Sequence, residues 1–285
     1  MTTRSTVPAA ALLAAFVSCL SADAARAATF DCVMDPAQKV KVGSSVTGVL
    51  DKVYVKRGDT VKAGDKIAEL NFAVEAANVS LARLQADSDQ SVQAQRSRLA
   101  LAQQKLERAE PLAAKGITTQ EKLEEAKSQA EIAERDLGTE LVKQKLAKIE
   151  LERAQAMLDL RTIRSPINGL VMDKNMSAGE FVNQEAFILT LVQMDPLYVE
   201  AYVPVSYWGK IHKGLLGTVH PAEPVGGAYK APVTVVDRVF DAASGTFGVR
   251  LELDNPGNAL PAGERCKIDF DLEDVPVATA LPKHD

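Results

Sequence analysis

The side chains that most often carry out chemistry are sparse in this chain of 285 residues. No histidine has the spacing to a Cys, Asp or Glu that a zinc site requires, and the three lie in unrelated segments: His212, His220 and His284. No glycine-rich phosphate loop and no Gly-x-Ser-x-Gly motif occurs. Four carboxylates lie near predicted turns, where such side chains usually bond the backbone: Asp237, Asp241, Asp254 and Glu264. We therefore predict a non-enzymatic protein with no metal site and no cofactor.

The composition excludes one class of partner and indicates one class of structure. The formal net charge of −5 leaves no basic footprint, so we expect no nucleic-acid partner. Hydrophobic residues make up 46% of the chain and charged residues 25%, which is ordinary for a folded protein. Aromatic residues make up only 5%, and Ala, Gln, Glu, Lys and Leu crowd the middle of the chain. That bias predicts a long helical segment.

The N-terminus has the pattern of a cleavable signal peptide. An apolar run extends from Val7 to Leu20, and Ala25-Arg26-Ala27 offers a small-x-small cleavage site. The run falls short of the roughly 20 apolar residues that a membrane-spanning helix needs. Cys19 lies in a poor context for lipidation. We therefore predict that residues 1–27 direct export and are removed.

Export changes what is expected of the cysteines. Once the signal peptide is removed, only Cys32 and Cys266 remain. Two cysteines in an oxidising compartment can form a disulfide. The residues alone leave two alternatives open, a disulfide or two separate buried thiols.

An internal repeat organises the rest of the chain. The segment SSVTGVLDKVYVKRGDTVKAGDKIAEL, Ser44–Leu70, aligns without a gap with SPINGLVMDKNMSAGEFVNQEAFILTL, Ser165–Leu191, at a constant offset of 121. Each copy has the alternation of short strands, and Gly58 and Gly179 mark equivalent tight turns. A single copy would leave an apolar face and strand edges open. We therefore predict that residues 41–72 and 161–194 pair as the two halves of one domain.

Each copy resembles half of a lipoyl- or biotin-carrier domain. In such carriers the modified lysine lies on the tight turn between the halves. The Asp-Lys pairs here, Asp51-Lys52 and Asp173-Lys174, lie early within their own copies instead. The resemblance therefore does not extend to a prosthetic group.

Residues 73–160 are predicted to form an antiparallel helical hairpin where a carrier has its turn. Strong helix formers fill the segment, and apolar or small residues recur at spacings of three and four. On the first leg they are Leu81, Leu84, Ser88, Val92, Gln95, Leu99, Ala102, Leu106 and Ala109, with a stutter near Ser88. On the second they are Leu123, Ala126, Ala130, Ala133, Leu137, Leu141, Leu151 and Leu158. Each leg of about 40 residues would span roughly 60 Å.

The turn of the hairpin is marked by helix-ending and helix-starting residues. Pro111 removes a helical hydrogen bond, and Gly116 suits the left-handed position that ends a helix. Thr118 and Glu121 have the spacing of a capping box, with Thr118 as N-cap. The first leg is therefore predicted to end near residues 110–115 and the second to begin near 119.

Residues 195–272 are predicted to form a small antiparallel β-barrel. Alternating apolar residues predict a half-buried strand in LYVEAYVPV, and further short strands follow between glycine- and proline-rich turns. SYWGKIHKG is predicted to be a short helix closed by Gly214. Residues 28–40 form an N-terminal lead and residues 273–285 a tail.

This layout resembles the periplasmic adaptor proteins, or membrane fusion proteins, of tripartite efflux pumps. It is most similar to adaptors of resistance-nodulation-division transporters and to the hemolysin-D-like group. The resemblance covers about residues 38–272, and its most specific segments are the two repeat copies and DAASGTFGVRLELDNPGNALPAGERCKI. It implies an elongated α+β multidomain fold: a lipoyl-like barrel-sandwich hybrid interrupted by a helical hairpin and followed by a small β-barrel.

The resemblance also implies a function. Such adaptors link an inner-membrane transporter to an outer-membrane channel, lie in the periplasm and associate with the inner membrane through the transporter. They form rings, commonly hexamers. The alternative that the residues leave open is a periplasmic coiled-coil scaffold or binding protein outside any efflux pump.

The family's motif at the hairpin tip implies the contact residues. The motif has an arginine, a leucine four residues on and a serine seven further, which Arg108 and Leu112 match. Thr119 stands at the serine position and keeps the hydroxyl. The acidic residue expected ten positions later is Gln129, a departure from the motif. The resemblance thus implies a channel contact by Arg108, Leu112 and Thr119.

Two further expectations come from the family's topology. Many such adaptors have a fourth, membrane-proximal β-domain built from both chain ends, and the short lead and tail predict that it is missing or vestigial here. The lead of an adaptor runs alongside the barrel. That course would bring Cys32 near Cys266 and implies a disulfide between them.

Overall fold

The structure is a computed structural model, which describes residues 1–2 and 28–272. The predicted signal peptide, apart from its first two residues, and the predicted tail lie outside the described residues. Within the described part, no helix is long and apolar enough to cross a membrane. The helices are α1 (Ala73–Asp87), α2 (Gln90–Ala114) and α3 (Gln120–Asp159). The strands are β1 (Ala28–Gly43), β2 (Gly48–Val53), β3 (Thr60–Val61), β4 (Lys66–Leu70), β5 (Thr162–Arg164), β6 (Gly169–Lys174), β7 (Phe181–Val182), β8 (Phe187–Pro204), β9 (Leu216–Pro221), β10 (Tyr229–Val236), β11 (Thr246–Leu253) and β12 (Glu264–Phe270).

The chain divides into two compact units. One comprises Pro36–Leu197 with Asn255–Ala262, and the other comprises the barrel strands. In the first unit the internal repeat is visible element by element, because β2 and β6 begin at Gly48 and Gly169, at the offset of 121. Strands from opposite copies pair reciprocally, β2 with β7 and β3 with β6. The two halves therefore form one domain, as the repeat predicts.

The core of this domain is apolar and draws on both copies. Val61 and Val182 are equivalent in the repeat, as are Ile67 and Ile188, and all four are buried. The full buried cluster is Val42, Leu50, Val61, Ile67, Ala68, Leu70, Ile163, Val171, Val182, Ile188, Leu189 and Leu191. Neither half could bury these side chains alone, so burial of apolar area holds the halves together.

The helical hairpin leaves the domain between β4 and β5. These two strands are antiparallel neighbours, and the Leu70 N–H donates to the Arg161 carbonyl at 2.9 Å. Arg161 also binds the Glu75 carboxylate at 2.6 Å, at the base of the hairpin. The two ends of the hairpin are therefore fixed side by side.

The first leg is two helices rather than the single one that its composition predicts. Helix α1 ends at Ser88, where the backbone is extended, and α2 starts after Asp89. Ser and Asp side chains compete with the helical backbone for hydrogen bonds, so the run Asp87-Ser88-Asp89 interrupts the helix. The predicted seam on α1 is also wrong, because Leu81 and Leu84 are exposed. The buried residues of this helix are Val79, Ala82 and Ala86.

The seam between α2 and α3 agrees with the predicted periodicity at most positions. On α2 the predicted residues from Val92 to Ala109 are buried or half-buried. On α3 the side chains at 123, 126, 130, 133, 137, 151 and 158 are also buried or half-buried, whereas Leu141 is exposed. Alanine fills several positions of this seam, and such small side chains permit a short distance between helix axes.

The second unit is a β-barrel. Its strands follow the order β1-β12-β9-β10-β11-β8, and β1 also pairs with β8. Burial alternates along β11, where Phe247, Val249, Leu251 and Leu253 all face the core. The predicted helix at SYWGKIHKG is wrong, since only a single 3₁₀ turn forms, over Val205–Tyr207. Gly209 and Gly214 have positive φ and hold the following residues in turns instead.

The first part of the N-terminal lead, residues 28–35, belongs to the barrel unit, and the remainder belongs to the other unit. Strand β1 pairs antiparallel with β12, and in that register Cys32 lies directly opposite Cys266. The two Cα atoms are 4.8 Å apart, and the sulfur atoms are bonded in the structure. The predicted fold class, a barrel-sandwich hybrid interrupted by a helical hairpin and followed by a barrel, is confirmed.

Candidate functional site

The tip of the hairpin is a tight turn with a defined hydrogen-bond pattern. The Gly116 N–H donates to Ala113 O and the Ile117 N–H to Leu112 O, both at 2.9 Å. This pair of bonds is the Schellman motif, which satisfies carbonyls at the end of α2. Gly116 has φ +70°, the left-handed conformation that the motif places there. The turn is therefore held rigidly by its own backbone.

Helix α3 begins one residue later than the capping box predicts. Thr119, not Thr118, is the N-cap, and its Oγ1 accepts the Lys122 N–H at 3.4 Å. Thr119 has the extended backbone that an N-cap requires, with ψ 152°. Its hydroxyl thus has a structural role at the start of α3, in addition to the contact that the family motif implies.

Arg108 lies four residues before Leu112 on α2, so the two share one face of the helix. The Arg108 Nε donates to the Gln104 carbonyl at 3.0 Å, one turn back along the same helix. In the described part of the chain no carboxylate oxygen lies within 4.0 Å of this guanidinium. Because a guanidinium carries five N–H donors, four remain available to a partner.

Exposed apolar surface lies on the same face of α2 as the Arg108 guanidinium. The Leu112 side chain is 42% exposed. It lines a shallow groove on α2 whose lining residues are Gln104, Glu107, Arg108, Pro111, Leu112 and Lys115. Pro111 lies inside the helix and has no N–H, so the carbonyl of Glu107 loses its helical donor. The groove therefore combines aliphatic surface, charged side chains and a carbonyl that lacks its i+4 donor.

Ile117 is a tip residue that the sequence motif did not identify. It is 68% exposed and follows Gly116 at the apex of the turn. In a Schellman motif the residue after the left-handed glycine usually contacts the helix residue that accepts its N–H, which here is Leu112. The glycine signal in the sequence could therefore have identified Ile117 as the partner of Leu112.

The side chains at the tip are suited to docking on a surface. It combines exposed Leu112 and Ile117 with the donors of Arg108, a set that suits the packing of one helix end against another. Gln129, at the position where the motif has an acid, donates to Glu125 Oε1 at 3.1 Å. Among the described residues no group of three His, Cys, Asp or Glu side chains is placed to hold a metal.

The other concentration of charged groups lies in the barrel-sandwich domain. The buried Glu69 carboxylate accepts hydrogen bonds from the Lys66 ammonium and the Tyr54 hydroxyl. The bond from Lys66 is the main cause that lowers the pKa of Glu69, and the bond from Tyr54 adds to it. The bond from Tyr54, the residue after β2, joins that strand to β4, whereas the bond from Lys66 lies within β4. The cluster therefore stabilises the domain rather than forming a binding site.

Comparison with known proteins agrees with this architecture. The chain is 28% identical over 258 residues to the macrolide export protein MacA of Yersinia pestis, covering 87% of this chain and 69% of the relative. It is 27% identical over 265 residues to the pyoverdine export membrane fusion protein PvdR of Pseudomonas putida, covering 83% and 67%. The crystal structure of MacA from Actinobacillus actinomycetemcomitans superposes with a TM-score of 0.71 at 23% identity, covering 85% of this chain and 78% of that one.

The family assignment rests on the interrupted repeat. Residues 38–193 match the family described as CzcB-like, barrel-sandwich hybrid domain. The match covers both copies of the repeat and the hairpin inserted between them, more than half of the chain. The protein therefore belongs to the family of the CzcB-like barrel-sandwich hybrid domain.

Proposed function

We propose that this protein is a non-enzymatic periplasmic adaptor of an efflux system. It links an inner-membrane transporter to an outer-membrane channel. The observation that carries the proposal is the barrel-sandwich hybrid with a helical hairpin inserted at its centre and a barrel after it. The relatives named as an export protein and an export membrane fusion protein support it.

The hairpin tip is the proposed contact for the channel. Arg108 supplies the free donors, and Leu112 with Ile117 supplies the apolar surface. Thr119 fixes the start of α3 and thereby the angle at which the tip is presented. The residues are exposed and rigidly held, which lowers the entropy lost when a partner binds.

Site-specific photo-crosslinking in cells tests this contact. A photoreactive amino acid at Leu112 is expected to crosslink to an outer-membrane protein, identified by mass spectrometry. The matched control is Leu141 on α3, which is exposed to the same degree, 41% against 42%, but lies away from the tip. A crosslink from Leu112 only to soluble periplasmic proteins, or equal crosslinks from both sites, would contradict the proposed contact.

Self-assembly into a ring, commonly of six copies in this family, is part of the same proposal. Val142, Leu146 and Ile149 recur at spacings of four and three on α3 and are exposed. Such a face suits helix-to-helix packing between copies. We expect Leu146→Glu to lower the mass of the assembly measured by light scattering. The control Lys148→Glu, which adds a carboxylate on another face of α3, should leave that mass unchanged.

Periplasmic location and the disulfide are proposed together. The facing positions of Cys32 and Cys266 on neighbouring strands support a disulfide that closes a loop with a sequence separation of 234. In the chain-entropy view such a loop stabilises the fold by several kcal/mol, about 5. Intact mass of protein from the periplasmic fraction should lack residues 1–27 and should incorporate alkylating reagent only after reduction. Two thiols that react without reduction would contradict the disulfide.

A further inference from the structure

The barrel unit carries an exposed aromatic surface that its core does not use. The Trp208 ring meets Phe240 edge-on at 4.8 Å between centroids and Phe247 at 5.2 Å. Phe247 is fully buried, whereas Trp208 and Phe240 are exposed. Two large exposed rings are therefore anchored on one core residue. We call Trp208, Val239 and Phe240 the aromatic patch.

Backbone hydrogen bonds fix the two segments that form the aromatic patch. The loop of residues 237–245 between β10 and β11 is closed by a bond from the Asp241 N–H to Thr246 O at 2.9 Å. It is joined to the start of the 3₁₀ turn by the Val205 N–H, which donates to Gly245 O at 3.0 Å. Val239 projects from this loop with 82% of its side chain exposed. The patch is thus a built feature of the barrel.

Basic residues flank the aromatic patch along the chain. Lys210 and Lys213 follow Trp208 in the same turn segment, and Arg238 precedes Val239. Within the described residues none of the three has a carboxylate oxygen within 4.0 Å. Lys210 lies over the Tyr207 ring, with its Nζ 5.9 Å from the ring centroid, and none of the three charges is neutralised by a carboxylate at ion-pair distance.

The same loop also carries two carboxylates, Asp237 and Asp241, and both residues are exposed. Asp241 accepts the Ala243 N–H at 2.9 Å. The Asp237 carboxylate lies against Gly248 on β11, where Oδ2 is 2.3 Å from the position that a Cβ would take. The segments that form the aromatic patch therefore carry three cations against two carboxylates, and one of these carboxylates, Asp241, is already bonded to the backbone of its own loop.

We propose that the aromatic patch inserts into the interfacial region of an anionic lipid bilayer. Tryptophan and phenylalanine favour the depth of the headgroups, and lysine and arginine bind the lipid phosphates. Exposed aromatic side chains beside unpaired basic residues are the combination that anchors proteins at an anionic membrane surface. This contact goes beyond the proposed adaptor function and requires neither the transporter nor the channel.

Trp208 is the only tryptophan in the chain, so its fluorescence reports on the aromatic patch directly. Protein purified from the periplasmic fraction is titrated with vesicles of phosphatidylglycerol and phosphatidylcholine in equal parts, and with phosphatidylcholine alone. We expect the emission to shift to the blue with anionic vesicles, and brominated lipids to quench it. The shift should weaken in high salt, because exposed charges are screened.

Variants distinguish insertion of the aromatic patch into the bilayer from other causes of a shift in Trp208 emission. We expect Val239→Glu to abolish the shift and Arg238→Gln to weaken vesicle binding about fivefold. Phe181→Glu is the control, because Phe181 is an exposed aromatic residue of the other compact unit and its loss should change nothing. Circular dichroism checks that each variant is folded.

Three results would overturn the proposal. One is the absence of a shift with anionic vesicles at any lipid concentration. Another is a shift that Val239→Glu retains. The third is a shift that appears without lipid and grows with protein concentration, which would assign the aromatic patch to a second copy of the chain. All three are independent of the crosslinking test at the hairpin tip.

Discussion

The two copies of the repeat have the same backbone hydrogen-bond pattern but different side-chain environments. In each, the turn glycine donates to a strand of the other copy, Gly58 to Val171 O at 2.9 Å and Gly179 to Leu50 O at 2.7 Å. All four residues are related by the offset of 121. Each half thus supplies hydrogen-bond acceptors that the other half lacks. Duplication therefore explains the domain better than two independent strand pairs would.

The copies differ in the atoms that pack around equivalent positions. A Cβ at Gly48 would meet the end of the Arg161 side chain at 2.7 Å, whereas at Gly169 it would meet the Val192 carbonyl at 2.4 Å. At one pair of equivalent positions the buried polar residue is Glu69 in the first copy and Thr190 in the second. The comparison shows that the glycine turns and the strand pairing are symmetric between the copies, whereas the packing around equivalent side chains differs.

The largest expected asymmetry is between the strand-starting glycines. Gly169→Ala should cost about 3 kcal/mol of unfolding free energy, because a backbone carbonyl must move. Gly48→Ala should cost about 1 kcal/mol, because the flexible Arg161 side chain can withdraw. Urea denaturation followed by circular dichroism measures both. Equal losses would show that the repeat is symmetric in packing as well as in backbone.

The second asymmetry concerns the buried polar positions. Glu69→Ala removes the acceptor for Lys66 and Tyr54 and should cost about 2 kcal/mol in the same denaturation experiment. Thr190→Val, its matched partner in the other copy, should change stability by less than about 0.5 kcal/mol. A loss for Thr190→Val as large as that for Glu69→Ala would contradict the assigned role of the cluster.

The turn glycines provide the test of symmetry itself. Gly58 and Gly179 have φ +91° and +92°, and no atom lies within 4 Å of a Cβ added to either. Alanine at each should therefore cost the same, about 1 kcal/mol of backbone strain. The double variant should show the sum. Unequal costs would mean that the two turns differ in a way that their backbone geometry does not reveal.

The smallest effect is a pH dependence confined to one copy. The lowered pKa of Glu69 means that its stabilisation is present above the unfolded value of about 4.3 and is lost as the pH falls through the lower folded value. Glu69→Gln should therefore lose least, relative to the native chain, in the most acidic solutions. Stability curves between neutral and acidic pH test this, and a constant difference at every pH would refute it.

The fold could be predicted from the sequence where local signals and long-range pattern agree. The offset of 121 predicted which halves pair, because glycine turns and alternating strands repeat together. The α2–α3 seam followed from the spacing of three and four. The tip residues followed from a resemblance, and their role as a channel contact stays a prediction.

Other features could not be predicted because competing signals had similar strength. Leu81 and Leu84 fit the periodicity, yet small Val79, Ala82 and Ala86 face α3, since close helix packing selects small residues there. Thr118 and Thr119 are both good N-caps, and the choice depends on how the turn at Gly116 ends. The aromatic patch depends on the contact between Trp208 and Phe240, which lie on two segments distant in sequence, and no short-range pattern predicts that contact.

The bond between Leu70 and Arg161 at the base of the hairpin has a consequence for how the chain folds. The two repeat copies are separated by about 90 residues, and bringing them together from a disordered chain would carry a large loop-closure entropy. The hairpin forms from local contacts, and it delivers its two ends to adjacent positions. Folding of the helices therefore places the two repeat copies close together before they pair. We expect formation of the hairpin to set the rate at which the barrel-sandwich domain assembles.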